Sequence, residues 1–233
     1  TSVSVDADAK EGISSLLIAA SGAQYAAVSA SVNVNRQLSD VSAAVDQTEV
    51  LGSFAQNANY LGRITTSAIT AAGSQYAAVP ISVVINYADN AVSSSVAHSI
   101  LRAEGQSASV GANRISEFSS LNVTASGAMY GAAAGLVNVN TIEGATSAEV
   151  NDSEVKAGQF SVNAENEDHQ KVTDVTATGA IGSLGASVVV SYFKGSSAAN
   201  LRNSIVTADK LTVSSLQDHY VNGTVAFASG GIG

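Results

Sequence analysis

The chain has no cysteine, no tryptophan and a single proline, Pro80; charged residues make up 12% of it and aromatics 5%. Without cysteine there is no disulfide framework and no thiolate metal site. The apolar stretches are interrupted by Ser, Gly or Asn before they reach the ~18 residues that a membrane-spanning helix requires, so no membrane insertion is expected. The 10 basic residues are scattered among 19 acidic ones, for a net charge of −9. Phosphate backbones are gripped by clustered Lys and Arg, so nucleic acid is not an expected partner. An anionic membrane surface is disfavoured for the same reason. No leader-like segment precedes the first strand-like pattern at Thr1, so the expectation is a mature chain or an excerpt of a longer one.

What fills the composition is Ala, Ser, Val, Gly, Thr and Asn, and these are arranged periodically. A Gly anchor recurs at Gly22 (SGAQYAAVS), Gly73 (AGSQYAAVP) and Gly127 (SGAMYGAAA), more weakly at Gly179, and again at Gly230. The spacings are 51, 54, 52 and 51. Tyr25, Tyr76 and Tyr130 follow the first three anchors at one offset, with Gly182 next in the series; Asn35, Asn86 and Asn140 follow at another, with Tyr192 next. Biased composition does not hold Tyr and Asn at fixed offsets over three copies. Self-similarity of this kind marks a repeat architecture. The array spans 1–233: a partial repeat 1–21, repeats 22–72, 73–126, 127–178 and 179–229, and a partial repeat 230–233.

Within a repeat, segments such as VSASVNVN, GLVNVN and GASVVVSY alternate at period two, the signature of strands. Polar clusters RQLSD, YADN, TIEG and FKGS follow them and read as turns. The expected fold is all-β, a β-solenoid (parallel β-helix) of about four 52-residue repeats. Tandem antiparallel β-sandwich modules are the alternative. A coil of the whole repeat has a long perimeter to fill with small side chains. Two coils of roughly 26 residues per repeat are therefore expected, giving a rod near 40 Å long at ~4.8 Å per coil. Stacking in register predicts an amide ladder through Asn35, Asn86 and Asn140, and a ring stack through Tyr25, Tyr76 and Tyr130, broken by Gly182.

Chemistry-bearing motifs are sparse. GxSxG, GxGxxG, the phosphate loop and the Ca²⁺ nonapeptide are absent. Asp168-His169 and Asp218-His219 lie in matching polar stretches, where stacking would make a titrating or metal-ligating group. The simpler reading is a solvated turn. Asp6 with Asp8, and Asp152 with Glu154, offer oxygen ligands for Ca²⁺, against the plainer role of keeping an apolar solenoid soluble. Asn122, Asn151 and Asn222 sit in Asn-x-Ser/Thr triplets. No catalytic residue, cofactor site or metal site is assigned.

The stretch GASVVVSYFKGSSAANLRNSIVTADKLTVSSLQ resembles the repeats of leukotoxin-type filamentous adhesins and, more loosely, filamentous haemagglutinins of bacterial surfaces. There a Gly/Ala-rich strand leads to an Asn-containing segment and an A-x-x-L-x-V strand. The counterparts here are 185–192, then 200–206, then Ala208, Leu211 and Val213. The third copy matches through 148–155, Ala157, Phe160 and Val162, whereas Leu51-Gly52-Ser53-Phe54 departs from the pattern. The resemblance implies an extracellular location at the bacterial cell surface and a non-catalytic structural or adhesive stalk. Its partner would be a surface receptor, protein or glycan, met near 57–60 and 165–170. A self-assembling filament subunit with end-to-end association, and a β-helical polysaccharide-active enzyme, are the alternatives.

Overall fold

The period-two alternation runs through each half-repeat without a break, and so do the strands. The computed structural model describes residues 2–230, which form two parallel sheets; no helix occurs among them. Sheet A contains β1 (Ser2–Ala23), β3 (Glu49–Leu51), β4 (Ser53–Ser74), β6 (Ile100–Gly127), β8 (Glu154–Gly179) and β10 (Ile205–Gly230). Sheet B contains β2 (Ala26–Asp46), β5 (Ala77–Ala97), β7 (Gly131–Asn151) and β9 (Gly182–Arg202). The orders are β1-β4-β6-β8-β10, with β3 paired to the start of β6, and β2-β5-β7-β9. The partial repeat expected over 230–233 lies, beyond Gly230, outside the described residues, as does Thr1.

Every ladder joins a residue to its counterpart one repeat away: Ser2 pairs with Ser53, Ala26 with Ala77, Leu136 with Ser187 and Ile205 with Glu154. The chain is a β-solenoid. Its coil is the whole repeat, which corrects the expected two coils per repeat. The perimeter argument assumed a round cross-section. Here the coil is collapsed flat, one sheet A strand against one sheet B strand, so the thickness to fill is set by ~10 Å sheet packing and not by perimeter. Small side chains suffice for that gap. The result is a slab: strands of 21–28 residues run ~70–90 Å, while the five stacked strands of sheet A take up only ~24 Å.

The clusters RQLSD, YADN, TIEG and FKGS are not turns; they lie inside β2, β5, β7 and β9. The coil reverses later, at Gln47, His98, Asp152 and Asn203, each left-handed with φ of 51, 47, 48 and 48°. The next residue in each copy is Thr48, Ser99, Ser153 or Ser204. Each of these hydroxyls donates to the carbonyl two residues back, at 2.7–2.9 Å. Ser99, Ser153 and Ser204 also receive the N–H of the preceding coil's hydroxyl residue at 3.1–3.2 Å. A side chain thereby supplies the turn with the hydrogen bonds that glycine-rich turns obtain from backbone alone. The surplus residues of the 54-residue interval form a bulge between Ala103 and Ser107, where Gly105 has φ +69°.

The interior is layered along the strands. Val50, Phe54, Val96, Leu101, Val155 and Phe160 fill the largest apolar layer, next to the Gln47 turn. Ile64, Ala88, Phe118 and Ile142 form a second, and Ala27, Ala72 and Ala78 a third at the tyrosine turn. Two polar layers separate them. In one, Asn35 Nδ2 donates to Asn86 Oδ1 (2.8 Å) and Asn86 Nδ2 to Asn140 Oδ1 (2.7 Å). Asn140 then donates to Asn138 (3.0 Å), and Asn138 and Asn122 both donate to Asp174. Asn122 is fully buried, which removes that Asn-x-Thr triplet from any surface role.

At the opposite turn, Tyr25, Tyr76 and Tyr130 stack with centroids 5.5 and 5.4 Å apart and planes 12 and 15° from parallel. The fourth copy is one residue shorter here: two residues separate β8 from β9, three separate β6 from β7. Gly182 N–H bonds to Tyr130 O just as Gly131 N–H bonds to Tyr76 O, so Ile181, not Gly182, follows the tyrosines. For the same reason Ser191, not Tyr192, follows Asn140.

Candidate recognition face

Alternation sends every second residue of sheet A outward, and direct stacking turns each such position into a row across the slab. Five adjacent rows cross this stretch, four of them mainly polar: Asp6–Asn57–Gly111–Asn163–Ser214, Asp8–Asn59–Asn113–Glu165–Leu216, Gly12–Arg63–Glu117–His169–Tyr220 and Ser14–Thr65–Ser119–Lys171–Asn222, with the mixed row Lys10–Leu61–Ile115–Glu167–Asp218 in the middle. Of the expected contact stretches 57–60 and 165–170, Asn57, Asn59, Glu165, Glu167 and His169 share this face, whereas Tyr60, Asn166, Asp168 and Gln170 point inward and are buried.

The rows are wired by their own side chains. Asn57 Nδ2 donates to Asp6 (3.0 Å) and Asn59 Nδ2 to Asp8 (2.7 Å). Ser4 also donates to Asp6, and these two donors hold the Asp6 carboxyl below the usual aspartate range. Donors from the neighbouring rung therefore occupy the DAD carboxylates. Asp152 lies 3.8 Å from His98, and Glu154 takes Lys156 at 2.9 Å, which lowers the Glu154 pKa. No group of three or more His, Asp or Glu side chains converges as a metal site among the described residues.

Arg63 donates through Nε to Glu117 at 2.7 Å. His169 stands 3.5 Å from Glu167, with its ring 6.1 Å from that of Tyr220 and tilted 50°. These groups, with Lys171 and Asn222, border a shallow depression of about 400 Å³. A second hollow of about 340 Å³ lies further along the face, between Ser109, Gln159, Asn163, Lys210 and Thr212. The chemistry offered is fixed amides, hydroxyls, balanced charges and one exposed aromatic edge.

The two Asp-His pairs do not stack. They are 50 residues apart while the coil is 51, so His219 pairs with Asp168, and Tyr220 with His169. His169 faces outward and His219 inward. There His219 Nδ1 is 3.1 Å from Asp168, and Nε2 is 2.7 Å from Gln217 Nε2. Arg114 completes this second polar layer: Nη2 lies 3.0 and 3.1 Å from the two Asp168 oxygens, and Nη1 donates to Glu143 O at 2.8 Å. Arg114 and Asp168 are both fully buried. Burial pushes the Asp168 carboxyl upward against the pull of Arg114 and His219, and lowers the Arg114 pKa. Gly195 packs against this pair, where a Cβ would come 2.5 Å from Asn166 Nδ2 and 3.0 Å from Arg114 Nη2. Sequence reading missed Arg114 altogether, because a lone Arg in an alternating strand carries no signal of burial.

No family model, curated protein or solved structure matches the chain.

Proposed function

We propose that this chain is a stalk segment of an extracellular bacterial surface filament, non-catalytic, which contacts a surface glycan through the outer face of sheet A. The observation that carries the reading is the residue-on-equivalent-residue register. It makes a slab that can be lengthened coil by coil and that repeats the same side chain along each row. Extended, shallow, row-patterned surfaces are what repeat proteins use for binding. Planar amides, paired charges and the Tyr220 ring suit the hydroxyls and apolar faces of sugars, and the sequence resemblance to filamentous adhesins points the same way. The test is binding of the full chain to a panel of immobilised oligosaccharides, with Lys171→Ala and Tyr220→Ala as variants. Both side chains point outward, so folding is unaffected. Binding by the parent and a loss of about tenfold or more in each variant supports the reading. No binding, or binding indifferent to both changes, overturns it.

A second reading, end-to-end assembly, draws on β2 and β9, each hydrogen-bonded along one side. Unpaired strand edges are templates for another chain. Fibres in electron micrographs, one slab wide, would favour it.

A further inference from the structure

The outer face of sheet B differs from that of sheet A. Its rows nearest the tyrosine turn are Val28–Val79–Ala133–Leu184, Ala30–Ile81–Gly135–Ala186, Val32–Val83–Val137–Val188 and Val34–Ile85–Val139–Val190, behind Ala26–Ala77–Gly131–Gly182. Segments 26–34, 77–85, 131–139 and 182–190 contain no Asp, Glu, Lys or Arg, in a chain of net charge −9. The side chains stand out into solvent on the edge strands, where Val32 is 63% exposed, Val188 52% and Leu184 71%, and are half-buried by their neighbours on β5 and β7, where Ile81 is 43% exposed. A hollow of about 330 Å³ opens beside Leu184, between Val79, Gly131 and Gly182, where the glycines leave the backbone bare.

We propose that this face associates with the same face of a second copy of the chain, packing two slabs back to back. Area and charge select this occupant. Four strands across five rows measure ~19 by ~33 Å, roughly 600 Å² per copy, at the upper end of what a monomer leaves exposed. Two such faces bury roughly 1,200 Å² together, the lower bound of a stable specific interface. Two acidic chains repel unless the surfaces that meet are uncharged, and this stretch of the face, up to the row that begins at Arg36, is uncharged. The closed two-fold arrangement leaves the sheet A faces outward on both sides, so the association is independent of glycan binding and each is tested without the other.

The experiment is sedimentation equilibrium of the full chain. The central-strand variant Val83→Glu/Val137→Glu is compared with it, and then mixed with Val83→Lys/Val137→Lys. These positions lie in β5 and β7, away from the sheet edges. The expected result is a parent of twice the 23.3 kDa chain mass. Each charged variant should be monomeric with an unchanged circular dichroism spectrum, and the mixture should recover the dimer. Should the charged variants lose their spectrum, Val83→Thr/Val137→Thr, of nearly the same shape, must still weaken the dimer about tenfold or more. A monomeric parent at ~100 μM, at which a micromolar interface is saturated, overturns the proposal. So does a parent that partitions onto neutral phosphatidylcholine vesicles as a monomer. Charged variants that dimerise as well as the parent also overturn it, since they would place the contact at the strand edges.

Discussion

Replacing Arg114 by methionine tests the second polar layer directly. The substitution keeps most of the side-chain length and removes three contacts: two to the Asp168 oxygens at 3.0 and 3.1 Å, and one to Glu143 O at 2.8 Å. It leaves Asp168 fully buried, with His219 at 3.1 Å and Asn166 at 3.4 Å as its remaining partners. A buried pair broken on one side costs about 3–5 kcal/mol, because the surviving charge keeps its desolvation penalty. At this chain length that corresponds to a melting temperature lower by about 10 °C. The loss has a pH signature. Burial already raises the Asp168 pKa, and removing Arg114, which pulls it down, raises it further. An acid whose folded pKa exceeds its unfolded value takes up its proton first in the folded state. The deficit is therefore full at pH 8 and shrinks as pH falls through the raised pKa. Removing the charge itself, in Arg114→Met/Asp168→Asn, recovers at least half of the loss, since a neutral pair carries no desolvated ion. Denaturant unfolding followed by circular dichroism at pH 8 and pH 5 measures all of this. A single variant within about 0.5 kcal/mol of the parent, or a double variant as weak as the two singles summed, refutes the buried ion pair as described.

Three further outcomes are expected. Asn86→Ala strands Asn140 Oδ1 and removes the shared acceptor of Asn35 and Thr66; it should cost about 2–4 kcal/mol in the same unfolding assay. Gly144 has φ +135°, and a Cβ there would run into the Asn90 carbonyl, so Gly144→Ala should cost about 3 kcal/mol or more and shift the denaturant midpoint accordingly. His98 Nδ1 sits 2.9 Å from Asp46, a hydrogen bond that raises its pKa. Titration followed by nuclear magnetic resonance should place it above the ordinary value, and Asp46→Asn should bring it back. The charged form is favoured by folding, so its contribution to stability is present at low pH and fades as pH rises through the raised pKa.

How much of this was legible in the sequence depends on whether a feature repeats. The period and the Tyr and Asn rows were readable because direct stacking sets equal residues over one another, so equality at fixed offset is the structural contact itself. Coil size was not, because period-two alternation says which way a side chain points and nothing about how many strands a repeat holds. The turns were misplaced because TIEG and FKGS look like turns, while Gln47-Thr48 and His98-Ser99, which are turns, contain no Gly or Pro. Their signal is a Ser or Thr hydroxyl following a left-handed residue, recurring at one position in every copy. His219 against Asp168 was readable in principle: a spacing of 50 in an array of 51 moves a residue to the other face of its sheet. Arg114 with Asp168 was not, since the two occupy different positions of their repeats and no single-copy motif links them.

The polar layers explain how such long strands keep their register. In a parallel pair of 21 or more residues, a slip of one residue turns the whole inward set outward and is forbidden by burial. A slip of two keeps the alternation intact, and among Ala, Val and Ser it changes little in volume. An interior of small apolar residues alone would therefore tolerate several pairings. Asn86 excludes them. Moved by two residues it would face Asn138 or Ile142 in place of Asn140, or leave Asn35 without its acceptor. Arg114 does the same in the neighbouring layer, since its guanidinium meets Asp168 two positions beyond its own paired residue, Asn166. The sequence tolerates buried polar groups because they discriminate between pairings that hydrophobic burial cannot tell apart, and the apolar layers on either side supply the stability.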